Sequence, residues 1–156
     1  MTKIFVDAAE LDQVLELSKK PYISGITTNP TLMKKSGVTD YEIFSKAIIS
    51  HTNLPLSLEV FSDEMEGMLE QAIKISSWGP QVFVKIPVTN TKGYPTYDLL
   101  KELVSRNIKV NVTAILSKKQ IDNVIKCLRS DLPSIVSVFA GRIADTSKDP
   151  CEYISY

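Results

Sequence analysis

One lysine stands inside a run that otherwise belongs in a dry interior. In "VFVKIPVT" (residues 82–89), Val82, Phe83, Val84 and Ile86 favour burial, and Lys85 favours water. An amine in mostly apolar surroundings loses the hydration that favours its charged form. The neutral amine is a nucleophile toward a ketone and forms a Schiff base. The protonated iminium then withdraws electrons from the adjacent carbon–carbon bond, which is what aldol cleavage requires. Carboxyl groups must move the protons, and Asp7 and Glu59 occupy two other β-branched runs, "KIFVDA" (3–8) and "LSLEV" (56–60). Such chemistry needs no cofactor. The blander alternative is an internal ion pair of Lys85 with Asp7 or Glu59.

Other reaction classes lack their parts. His51 is the only histidine, and in "IISHTNLP" it reads as a surface residue at a helix end, so a Ser-His-Asp triad or a His-rich metal site is not expected. Cys127 and Cys151 make neither CxxC nor metal-ligand spacing, and two free thiols fit a reducing cytoplasm. With 18 basic and 18 acidic residues and no basic stripe, nucleic acid is not an expected partner. No apolar run approaches the ~18 residues that span a membrane. The opening "MTKIFVDAAELDQ" enters a strand pattern with no signal-peptide core.

The elements that must position the lysine alternate regularly. Strand patterns cover residues 3–8, 22–28, 56–60, 82–87, 109–115 and 135–141. Amphipathic helices lie between them. Met65, Met68, Leu69, Ala72 and Ile73 follow one helical face, and Ile121, Val124, Ile125 and Leu128 another. Ser117 to Gln120 is a capping-box pattern, and Asp63 with Glu66 offers a second. Pro21, Pro55 and Pro133 close the preceding helices. No linker or domain boundary interrupts the chain, and 156 residues, 44% of them apolar, suffice for one domain with its own core. Regular βα alternation gives a parallel sheet, either an open doubly wound sheet or a (β/α)8 barrel.

Side-chain parity chooses between them. Even strand positions are mostly apolar: Ile4, Val6, Leu56, Leu58, Val84, Ile86, Val110, Val112, Val136 and Val138. Odd positions, continued into the loop at Asn29, carry Asp7, Thr27, Ser57, Glu59, Lys85, Asn111, Thr113 and Ser137. An open sheet covered on both faces is apolar on both. One apolar face and one polar face, with the polar groups toward the strands' C-terminal ends, is the barrel pattern.

These stretches resemble a known family. "FVDAAE" (5–10), "GITTNPTLM" (25–33), "LSLEV", "VFVKIPVT", "NVTAILS" (111–117) and "SVFAGRIAD" (137–145) are similar, in order and across nearly the whole chain, to the transaldolases, most closely the short transaldolase and fructose-6-phosphate aldolase-like subgroup. The resemblance implies a class I aldolase TIM barrel in which Lys85 forms the Schiff base and Asp7 transfers protons. It implies that Glu59 and Thr113 hold a relay water. Asn29, with Thr27 nearby, would bind donor hydroxyls, and Asn111 the dihydroxyacetone unit. Ser137 and Arg142 would lie at the substrate end, Arg142 gripping a sugar phosphate, and Phe139 would line the pocket. The water-holding residue is usually Glu in the transaldolases and Gln in the aldolases, and the "SVF" aromatic usually Phe and Tyr respectively. Glu59 and Phe139 therefore favour transfer of dihydroxyacetone between sugar phosphates, in the pentose phosphate pathway and without a cofactor or metal. Fructose-6-phosphate aldolase is the close alternative.

Six strand patterns fall short of eight. The expectation is a single incomplete barrel domain over residues 1–156, with two open edges and a tendency to associate as a homo-oligomer. A non-catalytic remnant is the alternative from another class.

Overall fold

The computed structural model describes residues 2–7 and 9–156; Ala8, the last residue of the first strand pattern, and Met1 lie outside the described residues. In chain order the elements are β1 (Ile4–Asp7), α1 (Leu11–Ser18), β2 (Ile23–Thr27), α2 (Pro30–Lys35), α3 (Tyr41–His51), β3 (Leu56–Glu59) and α4 (Met65–Ser76). There follow β4 (Val82–Pro87), α5 (Tyr97–Ser105), β5 (Val110–Ile115), α6 (Lys118–Ile125), β6 (Ile135–Val138), α7 (Ala140–Ala144) and α8 (Cys151–Ile154). All neighbouring strands pair in parallel, in the order β1-β2-β3-β4-β5-β6. The sheet is a curled part of a TIM barrel, with β1 and β6 at its edges.

Parity sets its two faces. Leu56, Leu58, Val84, Ile86, Val110 and Val112 are fully buried in one core with Met68, Ala72, Leu100, Leu103 and Val124 of the helices. Each such large side chain contributes about 1.5–3 kcal/mol on leaving water. The odd positions point the other way, toward the barrel interior. There the Phe5 ring lies where a side chain at residue 25 would stand, so only glycine fits opposite it.

Two ladders break step: the β1–β2 register shifts between Ile4 and Phe5, where Ile4 pairs with Ile23 and Phe5 with Gly25, and β5 carries the other irregularity. Ala114 has φ 60°, and the β5–β6 register shifts between Val112 and Ile115. This is a β-bulge, which inserts one extra residue on one side of a ladder. Thr113 keeps the inward direction, while Ile115, also odd, joins the helix-side core.

Several expectations need correction. The sixth strand ends at Val138, not at residue 141, because the chain turns after the Phe139 N–H reaches Ile115 O at 2.8 Å and α7 begins. The buried stripe of α4 is Met68, Ala72 and Ile75, with Ile73 exposed. Ile125 of α6 is likewise exposed, and Leu128 lies beyond the helix end. Asp63 does not cap α4, whose N-cap is Glu64 without a side-chain bond. The Asp63 carboxylate instead accepts from Thr91 N (2.8 Å) and Thr91 Oγ1 (2.6 Å), tying the loop after β3 to the loop after β4. Ser117 does cap α6, accepting from Gln120 N.

Candidate active site

Each strand delivers its polar residue for a local reason. Lys85 and Glu59 are register partners on β4 and β3, so two inward side chains stand side by side. Lys85 Nζ lies 3.1 Å from Glu59 Oε2, with side-chain exposures of only 15% and 19%. Of the two ion pairs open to the lysine in the sequence, Glu59 makes the one observed. The Lys85 ammonium also donates to Thr28 O at 3.4 Å.

Asp7 is built into a second cluster. Its Oδ1 accepts from Thr27 Oγ1 at 3.2 Å and its Oδ2 from Asn29 Nδ2 at 3.1 Å. Asn29 cannot turn freely, because its Oδ1 accepts from Leu32 N (2.8 Å) as the N-cap of α2. One amide N–H thus holds Asp7, and one remains for a ligand hydroxyl.

Asp7, Asn29, Glu59, Lys85, Thr113, Ser137, Phe139 and Arg142 line one cavity of about 640 Å³ at the C-terminal ends of the strands. Pro30, Thr31, Ala114 and Val138 complete its wall. Arg142 lies over the Phe139 ring, 5.7 Å from its centroid, and pairs with Asp145 at 3.2 Å. Phe139 is half exposed, so the cavity is open on that side.

Thr27 and Asn111 sit one layer lower, lining a second cavity of about 460 Å³ with Phe5, Phe83 and Ser137. Asn111 is buried and already bonded at both ends: its Nδ2 donates to Ser57 Oγ (2.9 Å) and its Oδ1 accepts from Ser137 Oγ (2.7 Å). Ser137 touches both cavities, so Asn111 reaches the upper one through it.

Sequence reasoning missed Thr28 and Ala114. Thr28 acts through a backbone carbonyl, which no residue type advertises. Ala114 comes to the wall through the bulge.

The arrangement suits carbonyl chemistry: a nearly buried amine, a carboxylate in contact with it, and a second carboxylate held by two donors across the same cavity. Among the described residues no group of three His, Cys, Asp or Glu side chains could hold a metal ion, and no helix is long and apolar enough to cross a membrane.

The family model for transaldolase/fructose-6-phosphate aldolase matches residues 4–154. The chain belongs to this family. A probable transaldolase from Methanococcus maripaludis is 35% identical over 153 residues, covering 98% of this chain and 67% of the relative. Probable transaldolases from Sulfurihydrogenibium sp. and Desulforamulus reducens are 32% and 33% identical, covering 93% and 94% of this chain and 63% of each relative. The chain thus spans about two thirds of the length of these curated relatives.

Proposed function

We propose that this chain carries a Schiff-base transaldolase site, moving a dihydroxyacetone unit from a ketose phosphate (fructose 6-phosphate or sedoheptulose 7-phosphate) to an aldose phosphate in the cytoplasmic pentose phosphate pathway. The observation that carries the reading is Lys85, nearly buried at the cavity wall with Glu59 in contact. Glu59 is placed to take the proton that the amine must lose before attack. The amine adds to the ketone carbon, water leaves, and an iminium remains. Asp7 takes the proton from the substrate's C4 hydroxyl as the C3–C4 bond breaks, and the aldehyde departs. The enamine left on Lys85 adds to the acceptor aldehyde, and hydrolysis frees the amine. Thr113 lines the same cavity, and on the family resemblance it shares a water with Glu59. Arg142 must exchange Asp145 for the substrate phosphate. That pair is exposed and worth little, so the exchange is cheap. Glu59 and Phe139 favour transfer over simple aldol cleavage on the family resemblance.

The test is borohydride trapping with dihydroxyacetone or fructose 6-phosphate, read by intact mass. We expect a covalent adduct on the wild-type chain and none on Lys85→Ala with an unchanged circular dichroism spectrum. Trapping in Lys85→Ala would move the nucleophile elsewhere. No trapping in folded wild-type protein would leave the non-catalytic reading standing.

A further inference from the structure

The ladder between β2 and β3 advances two residues at a time. Ile26 N donates to Pro55 O at 2.8 Å, and Thr28 N donates to Ser57 O at 3.2 Å. The next donor in that series is residue 30 and the next acceptor is Glu59 O. Residue 30 is proline and has no N–H. Pro30 instead starts α2, where a missing N–H costs nothing. The carbonyl of Glu59 is therefore left without its ladder partner.

A side chain from another element fills the place. Tyr41, the first residue of α3, directs its hydroxyl to Glu59 O at 3.2 Å. The ring is fixed by edge-on contacts with Phe61 and Trp78, centroids 4.8 and 5.5 Å away. The helix start is fixed by Asp40, whose Oδ1 accepts from Ile43 N at 2.8 Å. The Thr28 hydroxyl lies beside the Tyr41 hydroxyl, and burial pushes the phenol far above its ordinary range, so it stays a proton donor. Tyr41 thus touches the ends of both strands that hold Lys85: Thr28, whose carbonyl accepts from Nζ, and Glu59, whose carboxylate pairs with it.

We infer that Tyr41 is a positioning residue for the Lys85–Glu59 pair, its hydroxyl standing in for the amide that Pro30 lacks at the end of β3. Tyr41 does not line the cavity that holds Lys85 and Glu59. It acts through the Glu59 backbone: with the carbonyl anchored, the carboxylate is held toward Nζ. Without the anchor, the end of β3 is held from the β4 side alone, where Val60 N donates to Lys85 O at 3.2 Å. The inference rests on the proposed role of Lys85 as the reacting amine.

Tyr41→Phe keeps the ring and its contacts and removes only the hydroxyl. Two measurements are made on the full chain, with and without Glu59→Gln. The first is the rate at which acetic anhydride labels Lys85, relative to exposed Lys126, by peptide mass spectrometry. The second is borohydride trapping across dihydroxyacetone concentrations. Loosening the carboxylate frees the amine, so Tyr41→Phe should raise the Lys85/Lys126 labelling ratio by about fivefold, the equivalent of one ordinary hydrogen bond. The maximal trapping rate should fall by about the same factor with the half-saturating concentration unchanged, because the loosened carboxylate no longer serves the proton transfers by which water leaves and the iminium forms. In the Glu59→Gln background the labelling ratio should move by less than about twofold. A labelling ratio unmoved in Tyr41→Phe, or moved equally in both backgrounds, overturns the inference whatever happens to the melting temperature. If the wild-type chain traps nothing while the labelling pattern appears as expected, the Schiff-base reading fails and the positioning role stands.

Discussion

Breaking the Lys85–Glu59 pair from either side should expose its energy. At 3.1 Å and an effective dielectric of about 20, two unit charges attract by roughly 5 kcal/mol. Most of that is offset by desolvation, and removing one partner of a well-buried pair costs about 3–5 kcal/mol because the other charge stays behind. Exposures of 15% and 19% and the open cavity admit some water, which places the cost at or just below the low end of that range. Lys85→Met keeps the stem and strands the carboxylate; we expect a loss of about 2–3 kcal/mol. Glu59→Gln keeps the shape and an acceptor, and should cost about 1 kcal/mol. The double variant should then be about 2 kcal/mol more stable than the two losses predict. For a chain of this size that coupling is about 4–8 °C in melting temperature. The assay is urea unfolding followed by the fluorescence of Trp78, the only tryptophan, at several protein concentrations. Additivity within about 0.5 kcal/mol would refute the reasoning: the two groups would then be solvated independently despite their contact.

The Thr91 hydroxyl and amide hold the Asp63 carboxyl below the usual carboxylate range. Its contribution to stability is therefore full above that range and is lost as pH falls through the folded value. The difference in melting temperature between wild type and Asp63→Asn should accordingly be clear at neutral pH and should close under acid; a gap that widens in acid would reverse the assignment. Gly25→Ala drives a methyl group into the Phe5 ring and should cost about 1–3 kcal/mol in urea unfolding, with part of the loss recovered by Phe5→Leu. Equal losses in both backgrounds would place the strain elsewhere. The β1 and β6 edges present unpaired backbone groups, and Ile4 is half exposed at one of them, so the 156-residue chain by itself should sediment as an associated species at micromolar concentration. A monomer with one sharp melt would count against this.

Much of the site was legible because strands obey a period of two. The residues of β4 were readable to the residue, and the inward set of Asp7, Glu59, Lys85, Thr113 and Ser137 followed from parity. Helix faces were harder. Ile73 and Ile75 are both apolar, and only the packing of α4 on the sheet decides which is covered. The Asp63–Glu66 box had the right letters, but a better partner 28 residues away took the carboxylate. The "FAG" stretch read as strand because the bend after Val138 has no proline to mark it. Backbone acceptors such as Thr28 O and Glu59 O leave no trace in residue types. The hydroxyl that serves Glu59 O comes from a helix separated from it by 18 positions.

The bulge at Ala114 behaves like a shift of reading frame within a strand. Up to Thr113 an odd number means the interior and an even number the helices; from Ile115 the code is transposed. A substitution scheme that numbers β5 straight through would put polar groups in the core at its last residue. Deleting one residue near the bulge would restore ideal pairing there while turning either Thr113 or Ile115 to the wrong face. The left-handed Ala114 is thus the punctuation that lets one strand serve two addressees, the cavity and the helix-side core.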